Sequence, residues 1–223
     1  MKFFLTVLIL VSAFFFFSLN PEFYFSEKKD FDSITIYLSE KNDFDFSKPA
    51  SIAKSALDKI GFSKGPIKVF VASSRFEFFF FTYGKKNIKY WVNPINGKVF
   101  LNVCSYSDGR FEMKDFPKAS ADYEVAKAAV AASFRLSREV LSYAFLDTWR
   151  IIGLASYYSG EMPLYPPMDF CSPKKENEFE EFENMMIMKY MIENMKLKTD
   201  SALEENYLRE SLIKEARPYL CKP

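Results

Sequence analysis

Residues Glu124 to Glu161 read EVAKAAVAASFRLSREVLSYAFLDTWRIIGLASYYSGE, and the folding of this stretch decides the architecture of the second half of the chain. From Tyr123 to Leu146, Val125, Ala128, Ala129, Ala132, Leu136, Val140 and Tyr143 recur at helical steps. That period predicts one long helix whose small residues let it pass close beneath a sheet. Asp147 stands where it can cap a second helix presenting Trp149, Ile152, Leu154 and Tyr157, and Gly160 with Pro163 ends it.

Working outward, the first half carries the pattern of a small sheet with one helix. Ile34, Ile36 and Leu38 alternate with polar or amphipathic residues across Ser33 to Ser39, the period of a half-buried strand. Ser47 and Pro49 open a helix with Ile52, Ala56, Leu57 and Ile60 on one stripe, closed by Gly61. Ile67 to Ser73 is more uniformly apolar and reads as a central strand. Phe78 to Phe81 fits a short buried helix or a strand, and periodicity does not decide between them. Asn93-Pro94 and Asn96-Gly97 break the run from Ile88 to Val103 into a hairpin. Ser105 to Ser120 has the composition of a loop.

Downstream, Pro163 to Pro173 is a proline-rich connection with Tyr165 and Phe170 as anchors. Glu178 to Met195 is an acidic helix whose Phe179, Phe182, Met185, Met186, Tyr190 and Met191 fall at core spacing. Asp200 caps a last helix with Leu203, Tyr207, Leu208 and Leu212 inward, and Pro218 closes it.

The chain has 223 residues, 49% hydrophobic and 26% charged. With a leader set aside, that is one domain of ordinary size. Thirty basic residues against 29 acidic give a formal charge of +1, with no long block of like charge, so no nucleic-acid partner is expected. There is no histidine. Its absence removes both the commonest metal ligand and the commonest general base. The 26 Phe and 13 Tyr, beside many Lys, Asn and Glu, are what AT-rich coding sequence produces by drift, which is the simpler account than an aromatic binding surface.

Phe3 to Leu19 is an uncharged apolar run, at the short end of a membrane span. No small-x-small cleavage site follows, so residues 1–20 are expected to be a signal anchor, or else a signal peptide, with 21–32 a linker and 33–223 the domain. The domain is then exported: inner-membrane anchored and facing the periplasm or cell exterior, or secreted if the leader is removed. Of Cys104, Cys171 and Cys221, an oxidising compartment could join one pair, and spacing leaves the choice open.

The element order, together with Trp149-Arg150-Ile151-Ile152-Gly153-Leu154-Ala155-Ser156-Tyr157-Tyr158-Ser159-Gly160-Glu161, resembles the peptidase MA-like gluzincins, exported zinc metallopeptidases that often carry an N-terminal membrane segment. In that family a long helix bears H-E-x-x-H and the next helix supplies a third ligand, the Glu of W-x-x-E-G-x-A-x-Y. The two His hold zinc and the intervening Glu activates its water. The resemblance implies an α+β, zincin-like fold and puts Ile152 at the third ligand. In the frame adopted here the H-E-x-x-H positions become Ser142, Tyr143 and Leu146; a rival frame puts Arg138-Glu139 on the His-Glu pair and Ser142 on the second His. Only five residues then separate Leu146 from Ile152, shorter than the family's usual crossover.

No metal or other cofactor is expected from these residue types. Glu139, Asp147 and Glu161 are carboxylates near the degenerate positions, each more simply a surface charge or cap. Ser137, Ser142 and Cys104 lack a histidine to activate them, and Lys127 is expected on a solvated helix face. Trp91, Trp149 and Tyr158, with Tyr143, are the candidate aromatics of a cleft. The expectation is a membrane-anchored (residues 3–19), catalytically inactive pseudo-peptidase with a binding or scaffold role towards a peptide or envelope protein. The alternatives are an active hydrolase with a non-zinc mechanism and a purely structural envelope protein.

Overall fold

A computed structural model of the protein describes residues 2–172 and 177–221. The fold is α+β. A mixed five-stranded sheet is joined by a two-stranded hairpin and, among the described residues, nine α-helices. Its strands are β1 (Glu27–Asp30), β2 (Ile34–Leu38), β3 (Ile67–Val71), β4 (Tyr90–Val92) and β5 (Val99–Leu101), in the order β1-β2-β3-β5-β4. The central strands β2, β3 and β5 are parallel, and both edges are antiparallel. The β2-to-β3 crossover is α2 (Ser47–Lys59), because parallel neighbours need a connection long enough to return over the sheet.

The strand period sorts side chains onto two faces. Ile34, Ile36, Leu38, Val69, Val71, Val99 and Leu101 join one core with α2 and α4 (Ala121–Leu136). Tyr37, Phe70 and Phe100 point the other way, into an aromatic layer with Phe25 and with Phe78 and Phe81 of α3 (Arg75–Phe81). Phe78 to Phe81 is therefore helical, started by the Ser74 hydroxyl accepting from the Glu77 backbone N–H at 3.2 Å. The expected hairpin is β4–β5, with Gly97 at φ 71° in its turn.

Outside α4 lie α6 (Thr148–Ser159) and then α7 (Asn177–Glu193), each packed on the one before. The Met-bearing helix is core, with Met186, Met188 and Met191 buried. Last come α8 (Thr199–Glu204) and α9 (Arg209–Leu220), two helices where one was expected, and Pro218 lies inside α9 rather than after it. Cys171 is bonded to Cys221, tying the end of α9 to the connection before α7, and Cys104 is a buried free thiol. Pro173, the end of the expected proline-rich connection, lies outside the described residues.

Four further expectations are corrected. The helix expected over Tyr123–Leu146 stops at Leu136, and α5 (Val140–Ala144) is a separate short helix. The reason is Arg135, whose buried guanidinium donates to the Pro94, Ile95 and Arg138 carbonyls and so fixes the chain in a turn. Ser105–Ser120 is not all loop, since β6 (Cys104–Ser107) and β7 (Arg110–Met113) pair around Asp108-Gly109, both with positive φ. Residues 21–32 are not a linker: Pro21–Phe23 form a 3-10 turn, and the charged β1 pairs with β2, because backbone hydrogen bonds need no apolar face at a sheet edge. The fourth correction concerns the transmembrane helix expected at the N-terminus. Among the described residues no helix is long and apolar enough to cross a membrane. The first, α1 (Lys2–Leu19), rises only about 27 Å and carries Thr6, Ser12 and Ser18, and its last turns dock on the domain. Tyr83 Oη lies 3.3 Å from Ser18 Oγ, and Lys98 Nζ donates to the Leu19 carbonyl at 2.7 Å.

The Gly153 of G-L-A is explained by packing. A Cβ there would stand 2.5 Å from the Asn184 carbonyl oxygen and 2.8 Å from Met188 Cγ. Gly153→Ala therefore has to push α6 away from the α7 backbone. The expected cost is about 1–3 kcal/mol in urea unfolding, even though alanine is the better helix former by about 1 kcal/mol. A variant as stable as the wild type would mean the two helices are not this close.

Candidate functional site

Two of the charged residues buried along α4 converge on one place. Glu124 and Lys127 lie one turn apart, so both face the seam between α4, α6 and α7. The Lys127 side chain is 4% exposed, and its ammonium is 2.7 Å from Glu124 Oε1, 2.6 Å from Glu161 Oε2 and 2.7 Å from Glu181 Oε1. Glu161 follows the left-handed Gly160 that ends α6, and Glu181 comes from α7. Ser156 of α6 donates to Glu181 Oε1 at 3.0 Å. Lys89, just before β4, reaches Glu181 Oε2 at 2.7 Å and lies 3.5 Å from Glu124 Oε1. These groups form the floor of a pocket of about 40 Å³ walled by Pro163, Leu164, Tyr165, Phe182 and Met185.

Each ionisation state has a local cause. Burial pushes Glu124 up, and Lys127 and Lys89 only partly offset it; its Oε2 has no hydrogen-bond partner. Burial acts the same way on Glu181, but Lys127 and Lys89 outweigh it and hold its carboxyl down at about 2. For Lys127 burial alone would lower the pKa, yet Glu124, Glu181 and Glu161 together raise it well above the usual lysine range. These carboxylates therefore favour the charged form of Lys127. Beside it the Tyr90 hydroxyl is buried without a partner and raised well above its usual value by burial and then by Glu124.

The residues singled out from sequence do not gather here. Ser142 is exposed and Tyr143 half-buried on α5, Leu146 half-buried in the connection, and Ile152 half-buried on α6; none lines the pocket. Trp91 packs in the aromatic layer on the opposite face of the sheet from α4. Trp149 is half-buried under the Arg150 guanidinium, 4.9 Å away, and the buried Tyr158 hydrogen-bonds Thr199 Oγ1 at 2.6 Å. Lys127, expected on a solvated face, is buried, and Glu161, expected as a surface charge, is its partner. Glu124, Lys89, Ser156 and Glu181 went unrecognised as a group. The one available signal was the pair of opposite charges one turn apart inside an alanine run.

Chemically the cluster can hold a charge network and offer polar groups to a ligand. An ammonium sits among the carboxylates, and among the described residues no group of three or more His, Cys, Asp or Glu could hold a metal ion. It is no better suited to nucleophilic chemistry. Ser156 Oγ lies beside a cluster whose lysine stays protonated, and burial pushes the Cys104 thiol well above its usual range. No family model matches the chain, and neither does any curated protein or solved structure.

Removing Lys127 leaves buried carboxylates facing one another, so Lys127→Ala is expected to cost about 3–5 kcal/mol. The pH response separates this from simple loss of packing. In the wild type, the depressed Glu181 contributes stability that is present above its ordinary value of 4.5 and is lost as pH falls towards about 2. Lys127 contributes stability present below its ordinary value of 10.5 and lost as pH rises through its higher folded value. In Lys127→Ala, acidification from neutral to about pH 5 should raise stability, because protonation relieves Glu124 and Glu181. Denaturant midpoints across that range check it; a variant whose midpoint falls with acid would show the carboxylates are not crowded.

Proposed function

We propose that this protein is an exported, catalytically inactive relative of the peptidase MA-like gluzincins, a zincin-like domain with a binding or scaffold role in the cell envelope. The observation that carries the reading is the Lys127 ammonium at the centre of three carboxylates, a fixed organic cation. Tyr123-Glu124-Val125-Ala126-Lys127 has the spacing of H-E-x-x-H with its Glu retained. It lies on the long helix packed against the helix bearing Trp149, Gly153, Ala155 and Tyr157. This frame replaces the one through Ser142, Tyr143 and Leu146. It also removes that frame's short connection, since the rest of α4, α5 and the first turn of α6 now stand between Lys127 and Ile152.

In this reading tyrosine and lysine stand at the two imidazole positions and isoleucine at the third ligand, although of the three only Lys127 lines the pocket. Support for a binding role is the pocket itself, whose charged floor keeps an unpaired carboxylate oxygen under an apolar rim. At about 40 Å³ the pocket admits only a small group, so an extended peptide would meet it along the rim. The rival, a hydrolase working without zinc, has a hydroxyl in Ser156, but the carboxylate it donates to, Glu181, is held far below neutrality and is a weak base.

The test uses the purified full chain, incubated with casein with and without zinc and chelator, and assayed for bound metal. The expected result is no chelator-sensitive cleavage and no stoichiometric zinc; either one would overturn the proposal. The frame is tested separately. Ile152→Glu alone should gain no zinc, whereas Tyr123→His/Lys127→His/Ile152→Glu should retain zinc through gel filtration. A folded triple variant without zinc would discard the frame.

A further inference from the structure

On the far side of the sheet the molecule exposes apolar surface that the pocket reading does not use. Residues 4–12 of α1 are exposed all round, with Phe4 at 73% and Leu10 at 64%. They project from a docked root, where the Phe14 ring lies 5.1 Å from Phe80 and 6.0 Å from Tyr83. Beside that root α3 presents Phe76, 74% exposed, and Phe79, 45% exposed. An apolar slot of about 270 Å³ opens between the two helices, lined by Phe17, Tyr24, Phe76, Phe80 and Phe81, with Glu77 at its edge. Glu77 is turned inward and occupied, accepting from Tyr24 Oη at 3.1 Å and from the Ser73 N–H at 2.8 Å. The exposed charges next along the chain are Lys85 and Lys86, and the Lys86 ammonium stands 5.3 Å from the centre of the Phe79 ring.

We infer that this face is a seat for an anionic lipid bilayer, on which the folded domain lies as a monotopic protein. The projecting residues 4–12 of α1 rise about 13 Å, close to half of the ~30 Å hydrocarbon core, which is the depth of one leaflet. Phe76 and Phe79 then press into the boundary between headgroups and acyl chains, as the apolar face of an interfacial helix does, and the slot receives acyl-chain segments. Lys85 and Lys86 meet the negative headgroups, which is the charge complementarity that selects a lipid surface over a neutral apolar partner. The inference stands apart from the peptidase-like reading. It rests on the opposite face of the sheet and would survive the failure of that reading.

The experiment is flotation of the full chain with vesicles of phosphatidylcholine alone or mixed with phosphatidylglycerol. It compares the wild type with Lys85→Glu/Lys86→Glu and with Phe76→Ser/Phe79→Ser, all altered side chains being exposed. The wild type should prefer the anionic vesicles. The lysine variant should lose about tenfold or more of its partition into anionic vesicles alone, and the phenylalanine variant a comparable factor into both. Wild-type partition by either variant would overturn the inference, as would equal binding of the wild type to the two vesicle types. So would a lipid-free dimer, seen by sedimentation, that Phe76→Ser/Phe79→Ser dissociates while partition is unchanged, since the face would then belong to a second copy of the chain.

Discussion

An ammonium group taken out of water has to be surrounded, and in this protein that requirement falls on Lys127. Its three hydrogens meet carboxylates from α4 itself, from the end of α6 and from α7, while Lys89 brings the sheet edge into the same network. Transferring these charges from water costs several kcal/mol each, so the network adds little net stability over an apolar filling of equal shape. What it imposes is register. If α7 shifted by one residue, Glu181 would turn away from both lysines, and buried charges would be left unpaired.

Packing around the network is arranged to the same end. The alanines of α4 let it lie between the sheet, α2 and α6, and Gly153 lets the α6 and α7 backbones touch near Asn184. Close approach there keeps Ser156 and Glu181 at hydrogen-bond distance. Arg150, another buried cation, binds the carbonyls of Ala202 and Tyr207 and so fixes α8 and the chain after it to α6. The disulfide from Cys171 to Cys221 holds the end of α9 against the connection before α7, so the last helices are tied at both ends.

Much of this architecture is legible in the sequence wherever one rule acts alone. Ile34, Ile36 and Leu38 alternate and form a strand, and Asn96-Gly97 turns a hairpin, because local pattern and tertiary position agree there. Reading fails where a distant partner decides. Apolar spacing runs on through Val140 and Tyr143, yet Arg135 ends the helix by binding carbonyls 40 residues away. Asp108-Gly109 was a visible turn signal, but its flanking strands are too polar to announce themselves. The candidate site was the least legible part, because one of the carboxylates that meet Lys127, Glu181, lies 54 residues downstream. A charge in an alanine helix reads as solvated until something is known to face it.

A buried cation and a catalytic metal make different demands on the same kind of seam. Zinc needs neutral imidazole or thiolate donors, an open coordination position and water. An ammonium needs only acceptors, and once it has three it has nothing left to offer a substrate. Substituting one for the other would retain the carboxylates, the helix contacts and the glycine that lets the helices meet, while removing the Lewis acid. Around the network lie the rim of Leu164, Tyr165 and Phe182 and, beneath it, the unsatisfied oxygen of Glu124. A seam held shut by charge can meet a partner only through those groups.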